Sequence, residues 1–406
     1  LSPNATGWWT QGMHLSVTTG YYYYVTSIVA KTAKILGRVD DDLFYFDLQN
    51  KIKEAYNKRF FDTKTKQYEN GSQFANSFPL FLDIVPESEK EAVLKNLVDN
   101  IFQHKGHLST GILGTKYMME ALWQQERSDI GCLIASRKEF PGWLDMIKNR
   151  TTLSESWNPV SRSNNHVMFG SIDSWFYKAL AGIDADDSGP GFEKFVIKPA
   201  VPPGMTFVKA NRETVRGRVS SEWKLKGKNF ELDVAVPVNS TATVFVPATA
   251  AENVTESGTA TDKAEGITYL RMQGDYAVFS VLSGQYHFVS KDISKLISKP
   301  FVENPEFELA AGFFKAGEEA EIKISTLTNG AEIRYTLDGG EPDANSTLYA
   351  GPFVIDKSSK ITAKAFKSDS QPSFSVSVLH QFIDAEKNGL NYDLYEGAWH
   401  QLPDFE

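Results

Sequence analysis

The period of the apolar residues changes once along this chain, and that change constrains its fold more than any other feature. Up to about Ile183 apolar residues recur every third or fourth position, the spacing of one face of a helix. After Gly189-Pro190-Gly191 they recur every second position, the spacing of a strand with one buried face. The expected fold class is therefore multidomain, α then β.

In the first block Tyr22, Val25, Val29, Thr32 and Leu36 line one helix up to Gly37, and Leu48, Ile52, Ala55 and Tyr56 line the next. Ser88 and Glu91 have the spacing of a capping box ahead of Val93, Leu94, Leu97 and Ile101, and Gly106 stops that run. Further helices are expected at about 113–125, 128–136 and 166–181. Helices in antiparallel succession, joined by loops carrying Trp, His, Asn and Glu, point to a helical barrel or toroid with its site on the loop face.

In the second block Phe230, Leu232, Val234 and Val236 alternate, as do Ala242, Val244 and Val246. Lys226-Gly227-Lys228-Asn229 has the make-up of a hairpin loop. The expected organisation is a helical domain over 1–188, a β-sandwich-like domain over 189–290, a polar linker over 291–304 and a second β domain over 305–385. In the last of these Ile333, Tyr335 and Leu337 alternate before the turn residues Asp338-Gly339-Gly340. Residues 386–406 are expected to begin a further module.

Composition narrows the function. The 406 residues hold 42 Lys and Arg against 51 Asp and Glu, a formal net charge of -9, with no concentrated basic face for a nucleic acid. The longest apolar stretch, Tyr21 to Ala30, is half of the roughly 20 residues that cross a bilayer. One cysteine, Cys132, closes no internal disulfide and leaves the compartment open. The chain opens Leu1-Ser2-Pro3-Asn4, so any targeting signal is expected to lie outside it.

The densest polar and aromatic cluster runs from Pro141-Gly142-Trp143 through Thr151-Thr152-Leu153-Ser154-Glu155-Ser156-Trp157-Asn158-Pro159 to Ser163-Asn164-Asn165-His166. A carboxylate beside tryptophans has the chemistry of a sugar site: aromatic faces take the apolar face of a pyranose and the carboxylate handles protons. Taken singly, a Glu-x-Trp is more often a surface glutamate beside a half-buried tryptophan, and His166 more often a helix-start or core histidine.

The ordered set of motifs carries more. Gly7-Trp8-Trp9, His107-Leu108-Ser109-Thr110-Gly111-Ile112-Leu113-Gly114-Thr115, the Thr151 to Trp157 segment, and Asn165-His166-Val167-Met168-Phe169-Gly170-Ser171 with Leu180-Ala181-Gly182-Ile183 occur in this order. Together they resemble the bacterial α-L-rhamnosidases, inverting enzymes of glycoside hydrolase family 78, over roughly residues 1–290. The resemblance implies the later part of an (α/α)6 catalytic barrel and the β domain that follows it. It implies that Glu155 is the general base and that His166 and Trp9 line the rhamnose pocket. His107, Trp143 and Trp157 are site-lining by position. Ser154 and Trp8 stand where the family usually has Trp and Asp.

Inversion needs a second, protonated carboxyl group about 6.5–9.5 Å from the base. In the family it lies in an Asp-Glu-Arg segment earlier in the barrel, and no such tripeptide occurs here. The chain is therefore expected to be the C-terminal portion of a rhamnosidase, lacking the acid and inactive alone, with the upstream barrel half as its partner and a rhamnose-containing carbohydrate as substrate. No cofactor is expected. Residues 305–380 resemble the C-terminal β-sandwich of chitobiases and hexosaminidases, where Asp338 and Glu341 are expected to serve a turn and not a metal. Two alternatives stay open: a carbohydrate-binding or scaffold protein that does not cleave, and another (α/α)6 sugar hydrolase, glucoamylase-like or a uronyl hydrolase.

Overall fold

The computed structural model describes residues 11–148, 150–158 and 163–384, with side chains from residue 15 onward. The chain divides into two compact units, Leu1–Ser298 and Lys299–Glu406. Helices come first and sheets follow.

Helix α1 (Gln11–Ile35) and helix α2 (Val39–Phe60) form an antiparallel hairpin. Gly37 adopts φ 66°, and the amides of Gly37 and Arg38 donate to Lys34 and Ala33 O, which closes the last turn of α1. The face of α1 that packs is the one bearing Tyr23, Thr26, Ala30 and Ala33. The expected face is instead the open one: Tyr22 is 54%, Val25 55% and Leu36 67% exposed. On the packed face Tyr23 accepts a hydrogen bond from Gln49 of α2, and α1 is left apolar on both sides.

Helix α3 (Gln73–Phe81) starts at Ser72, whose hydroxyl accepts from Ala75 N–H at 3.3 Å. Helix α4 (Lys90–Gln103) departs from the capping-box expectation. A short 3-10 turn, Glu87–Glu89, precedes it, and Glu89 caps it without a side-chain bond. Pro86 sets that entry, since its fixed φ favours a tight turn ahead of the helix. Helices α5 (Ile112–Gln124), α6 (Ser128–Ala135) and the short α7 (Trp143–Ile147) complete the array. The segment expected as one helix over 166–181 is three pieces: a 3-10 turn Val167–Ser171, an α turn Ile172–Trp175 and a π turn Phe176–Leu180. Gly170 and Ser171 near its start, both weak helix formers, leave room for that irregularity. Among the described residues no helix is long and apolar enough to cross a membrane.

The chain enters the sheets at Gly182. Its φ is +77°, and a Cβ there would lie 2.2 Å from the Lys198 carbonyl carbon, so only glycine fits. A six-stranded sheet has the order 259–260, 254–256, 284–290, 229–236, 217–226, 207–214. A five-stranded sheet has the order 267–273, 276–281, 241–247, 194–197, 183–185. Both sheets feed one core, with Phe195, Val244 and Phe279 from one and Trp223, Leu232 and Phe288 from the other. The two strands 217–226 and 229–236 are joined by Gly227 and Lys228, with Gly227 at φ 63°.

Trp223 ties this domain to the end of the helical part: it is 2% exposed and its indole N–H donates to Leu180 O at 2.8 Å. Trp223→Ala should cost about 3–5 kcal/mol, through lost burial, the cavity left behind and an orphaned carbonyl. Denaturant unfolding measures this, and a loss below about 1 kcal/mol would contradict that role for the indole.

The second unit has a five-stranded sheet in the order 312–315, 376–383, 359–366, 332–336, 347–348, with short strand pairs at 306–307 with 324–325 and 320–322 with 353–355. Its core holds Ile322, Ile333, Ile361, Ala363 and Ala365. Asp338 Oδ1 accepts from Gly340 N–H at 2.9 Å, and Glu341 pairs with Lys364 at 2.8 Å, so both carboxylates serve the turn and its neighbour strand.

Candidate active site

Glu155 and His166 are carried by two stretches that pair backbone to backbone. Glu155 N–H donates to Ser163 O at 3.1 Å and His166 N–H donates to Leu153 O at 2.9 Å. Burial then varies from residue to residue along the first stretch. Ser154 is 1% exposed and its N–H points to Met146 Sδ at 3.2 Å, Glu155 is exposed, and Trp157 is 7% exposed. The exposed Glu155 thus lies on backbone anchored by a buried Ser154 before it and a buried Trp157 two residues after it. The Arg150 guanidinium donates to Ser154 Oγ and to Asn164 Oδ1, and Thr152 Oγ1 donates to Asn164 O, so polar contacts also cross between the two stretches.

His166 is half-buried at the start of the 3-10 turn, with Nδ1 accepting from Met168 N–H at 3.4 Å. Trp143 and Trp157 lie beneath these loops. Trp143 donates its indole N–H to Phe169 O at 3.0 Å, and Trp157 donates to Thr110 O at 2.8 Å. Their rings meet edge to face at 5.3 Å, and Trp157 lies over Phe169 with centroids 3.8 Å apart. With Trp143 at 6% and Trp157 at 7% exposure, each supports the loops from below and presents little ring face to solvent.

His107 stands on the neighbouring loop. Its ring Nδ1–H faces Pro141 O at 3.5 Å and its Nε2 lies 3.7 Å from a carboxylate oxygen of Glu139. Burial pushes the imidazole below its ordinary range, and the Arg137 guanidinium adds to this against the pull of Glu139. Gly142 allows the 137–142 turn to close, because a Cβ there would meet Glu139 O at 2.9 Å and Arg137 O at 3.0 Å. Trp9 lies outside the described residues.

One residue of this network does not stand out in the sequence. Gln73, fully buried at the start of α3, donates from Nε2 to His107 O at 3.0 Å and accepts Ser109 N–H on Oε1 at 2.7 Å. The one signal for it is a polar amide directly after a helix cap, in a helix that also carries Asn76 and Ser77 among apolar residues.

Comparison with known proteins shows the family to which this helix-then-sheet chain belongs. Residues 8–180 match the bacterial alpha-L-rhamnosidase 6 hairpin glycosidase domain, and 182–261 match the bacterial alpha-L-rhamnosidase C-terminal domain. Residues 309–377 match the chitobiase/beta-hexosaminidase C-terminal domain. An alpha-L-rhamnosidase of Streptomyces avermitilis is 29% identical over 283 residues, which cover 67% of this chain and 26% of that protein. One from Formosa agariphila is 27% identical over 252 residues, covering 59% of this chain and 27% of the relative. The chain thus spans about a quarter of the length of these curated relatives. Among solved structures, the alpha-L-rhamnosidase of Dictyoglumus thermophilum aligns with a TM-score of 0.62 at 33% identity, over 67% of this chain and 32% of that one. The Streptomyces avermitilis enzyme complexed with L-rhamnose aligns with a TM-score of 0.62 at 28% identity, over 68% of this chain and 27% of that one. Over residues 8–180 and 182–261, then, this chain belongs to the bacterial alpha-L-rhamnosidases, as part of their hairpin glycosidase domain followed by their C-terminal domain.

Proposed function

We propose that this chain is part of a glycoside hydrolase that removes terminal α-L-rhamnose with inversion, and that Glu155 is its general base. In this reading the helices are a portion of an (α/α)6 barrel, and the sheets that follow them in the first unit and those of the second unit each form a β-sandwich. The observation that carries it is an exposed Glu155 whose backbone is held in a stretch paired with the one that bears His166. Glu155 takes a proton from water as the water oxygen attacks the anomeric carbon. The bond from that carbon to the leaving oxygen breaks, and a second carboxylic acid gives its proton to the departing group. We assign that acid to sequence outside this chain, which spans about a quarter of its curated relatives. His166, His107 and Trp9 are assigned to the sugar pocket, and Trp143 and Trp157 to the layer beneath it.

The test is the complete polypeptide that the gene encodes, incubated with an aryl α-L-rhamnoside and followed by proton NMR. First release of the β anomer is expected; release of the α anomer, or of no rhamnose, refutes the reading. Alanine at His166 or Trp9 should raise KM while lowering turnover less than loss of the base, because pocket walls supply binding common to ground and transition states. Either variant losing turnover as completely as a Glu155 variant, with KM unchanged, would move that residue into the proton-transfer machinery.

A further inference from the structure

We propose that Gln73 is a positioning residue that registers the His107 loop against the Glu155 loop, and that it acts through Trp157. The inference rests on the reading of Glu155 as the base. Gln73 has no exposed surface, and its amide uses both ends on one short piece of backbone: it donates to His107 O at 3.0 Å and accepts from Ser109 N–H at 2.7 Å. That bidentate clasp spans Leu108, itself 2% exposed, and leaves the loop little freedom to slide. Thr110, the residue after Ser109, receives the Trp157 indole N–H on its carbonyl at 2.8 Å. Trp157 is two residues from Glu155, and its ring lies on Phe169, three residues after His166. A shift of the 107–110 backbone is therefore transmitted through one hydrogen bond and one ring contact to both proposed site residues.

The Gln73 amide, Thr110 and Trp157 are buried, so an amide or indole that lost its partner here would be left costly to satisfy, and this favours the one arrangement that pairs them all. Asn76 provides the contrast. It lies on the same helix, is equally buried, and holds Tyr68 N–H at 3.0 Å and Gly71 O at 3.4 Å, contacts that run to residues 68–71 ahead of the helix and away from the loops. Both amides stabilise the fold. The structure connects one of them to Trp157.

Two measurements test this. In the complete polypeptide, Gln73→Met should lower kcat on an aryl α-L-rhamnoside about 10- to 100-fold with KM within threefold, as misplacement of a reacting group does, while Asn76→Leu should leave kcat within threefold of the parent. In the 406-residue chain labelled on its tryptophans, the indole N–H resonance assigned to Trp157 by its loss in Trp157→Phe should move in Gln73→Met and stay in place in Asn76→Leu. If Gln73→Met does not fold, Trp157→Phe cuts the linkage at its far end and should lower kcat to the same degree. Parental kcat in Gln73→Met, or in Trp157→Phe where it stands in, an equal loss in Asn76→Leu, or an unmoved Trp157 resonance overturns the proposal. Failure of the underlying reading shows separately, as a Glu155→Gln variant that keeps parental turnover.

Discussion

Glu155→Gln in the complete polypeptide should lower turnover on an aryl α-L-rhamnoside by about 10²- to 10⁴-fold, the range that a positioned acid or base contributes. The substitution is nearly isosteric and spares the backbone bond from residue 155 to Ser163 O. Position 155 is exposed, so the unfolding midpoint should scarcely change, surface substitutions away from special features staying within about ±0.5 kcal/mol. An amide at this place still holds water by hydrogen bonds and cannot take its proton. A variant within threefold of the parent sinks the assignment, whereas a large loss with altered melting would indict the fold instead of the base.

The second large effect concerns the 406-residue chain by itself. It should give no measurable rhamnoside hydrolysis, and adding back the sequence that precedes it in the gene should restore activity. One reason is chemical: the base cannot also be the acid, and the inverting geometry needs a second carboxyl group across the sugar. The other is physical. Tyr22, Val25 and Ile28 on α1 are 54%, 55% and 47% exposed, and Leu43, Phe44 and Phe46 on α2 are 64%, 62% and 58% exposed. Covering what remains exposed of each is worth about 1 kcal/mol, roughly half the value for a side chain that starts fully exposed, so this hairpin gains by meeting further helices. Inverting hydrolysis by the chain alone would mean that the acid lies within it. Glu139, which faces His107 at 3.7 Å, would then be the first group to test, followed by Asp145 and Asp173.

Much of the architecture was legible because local patterns report burial. The change of period marks the passage from helices to strands, and the alternation of Leu232, Val234 and Val236 matches the buried residues of strand 229–236. Gly37 and Gly227 both hold positive φ where the pattern called for a break. Failures came where two answers satisfied the same pattern. Tyr22 and Val25 form a convincing apolar face, yet Tyr23, Thr26 and Ala30 are the residues that pack, since a helix apolar on both sides does not reveal which side meets which neighbour. The broken segment over 167–180 was invisible for a related reason: its spacing is helical on average, and only packing distinguishes three short turns from one helix.

For the site, sequence alone determined which groups are present and in what order: a carboxylate at 155, a histidine at 166, tryptophans at 143 and 157, and motifs that follow one another as in the rhamnosidases. Their working arrangement was decided by tertiary structure. The bonds that fix it join Gln73 to His107 and Ser109 across 34 and 36 positions, Trp157 to Thr110 across 47, and Trp143 to Phe169 across 26. Each closes a long loop at an entropic cost that no local preference offsets, so these contacts form only once the helices have packed and excluded water from the groups that make them.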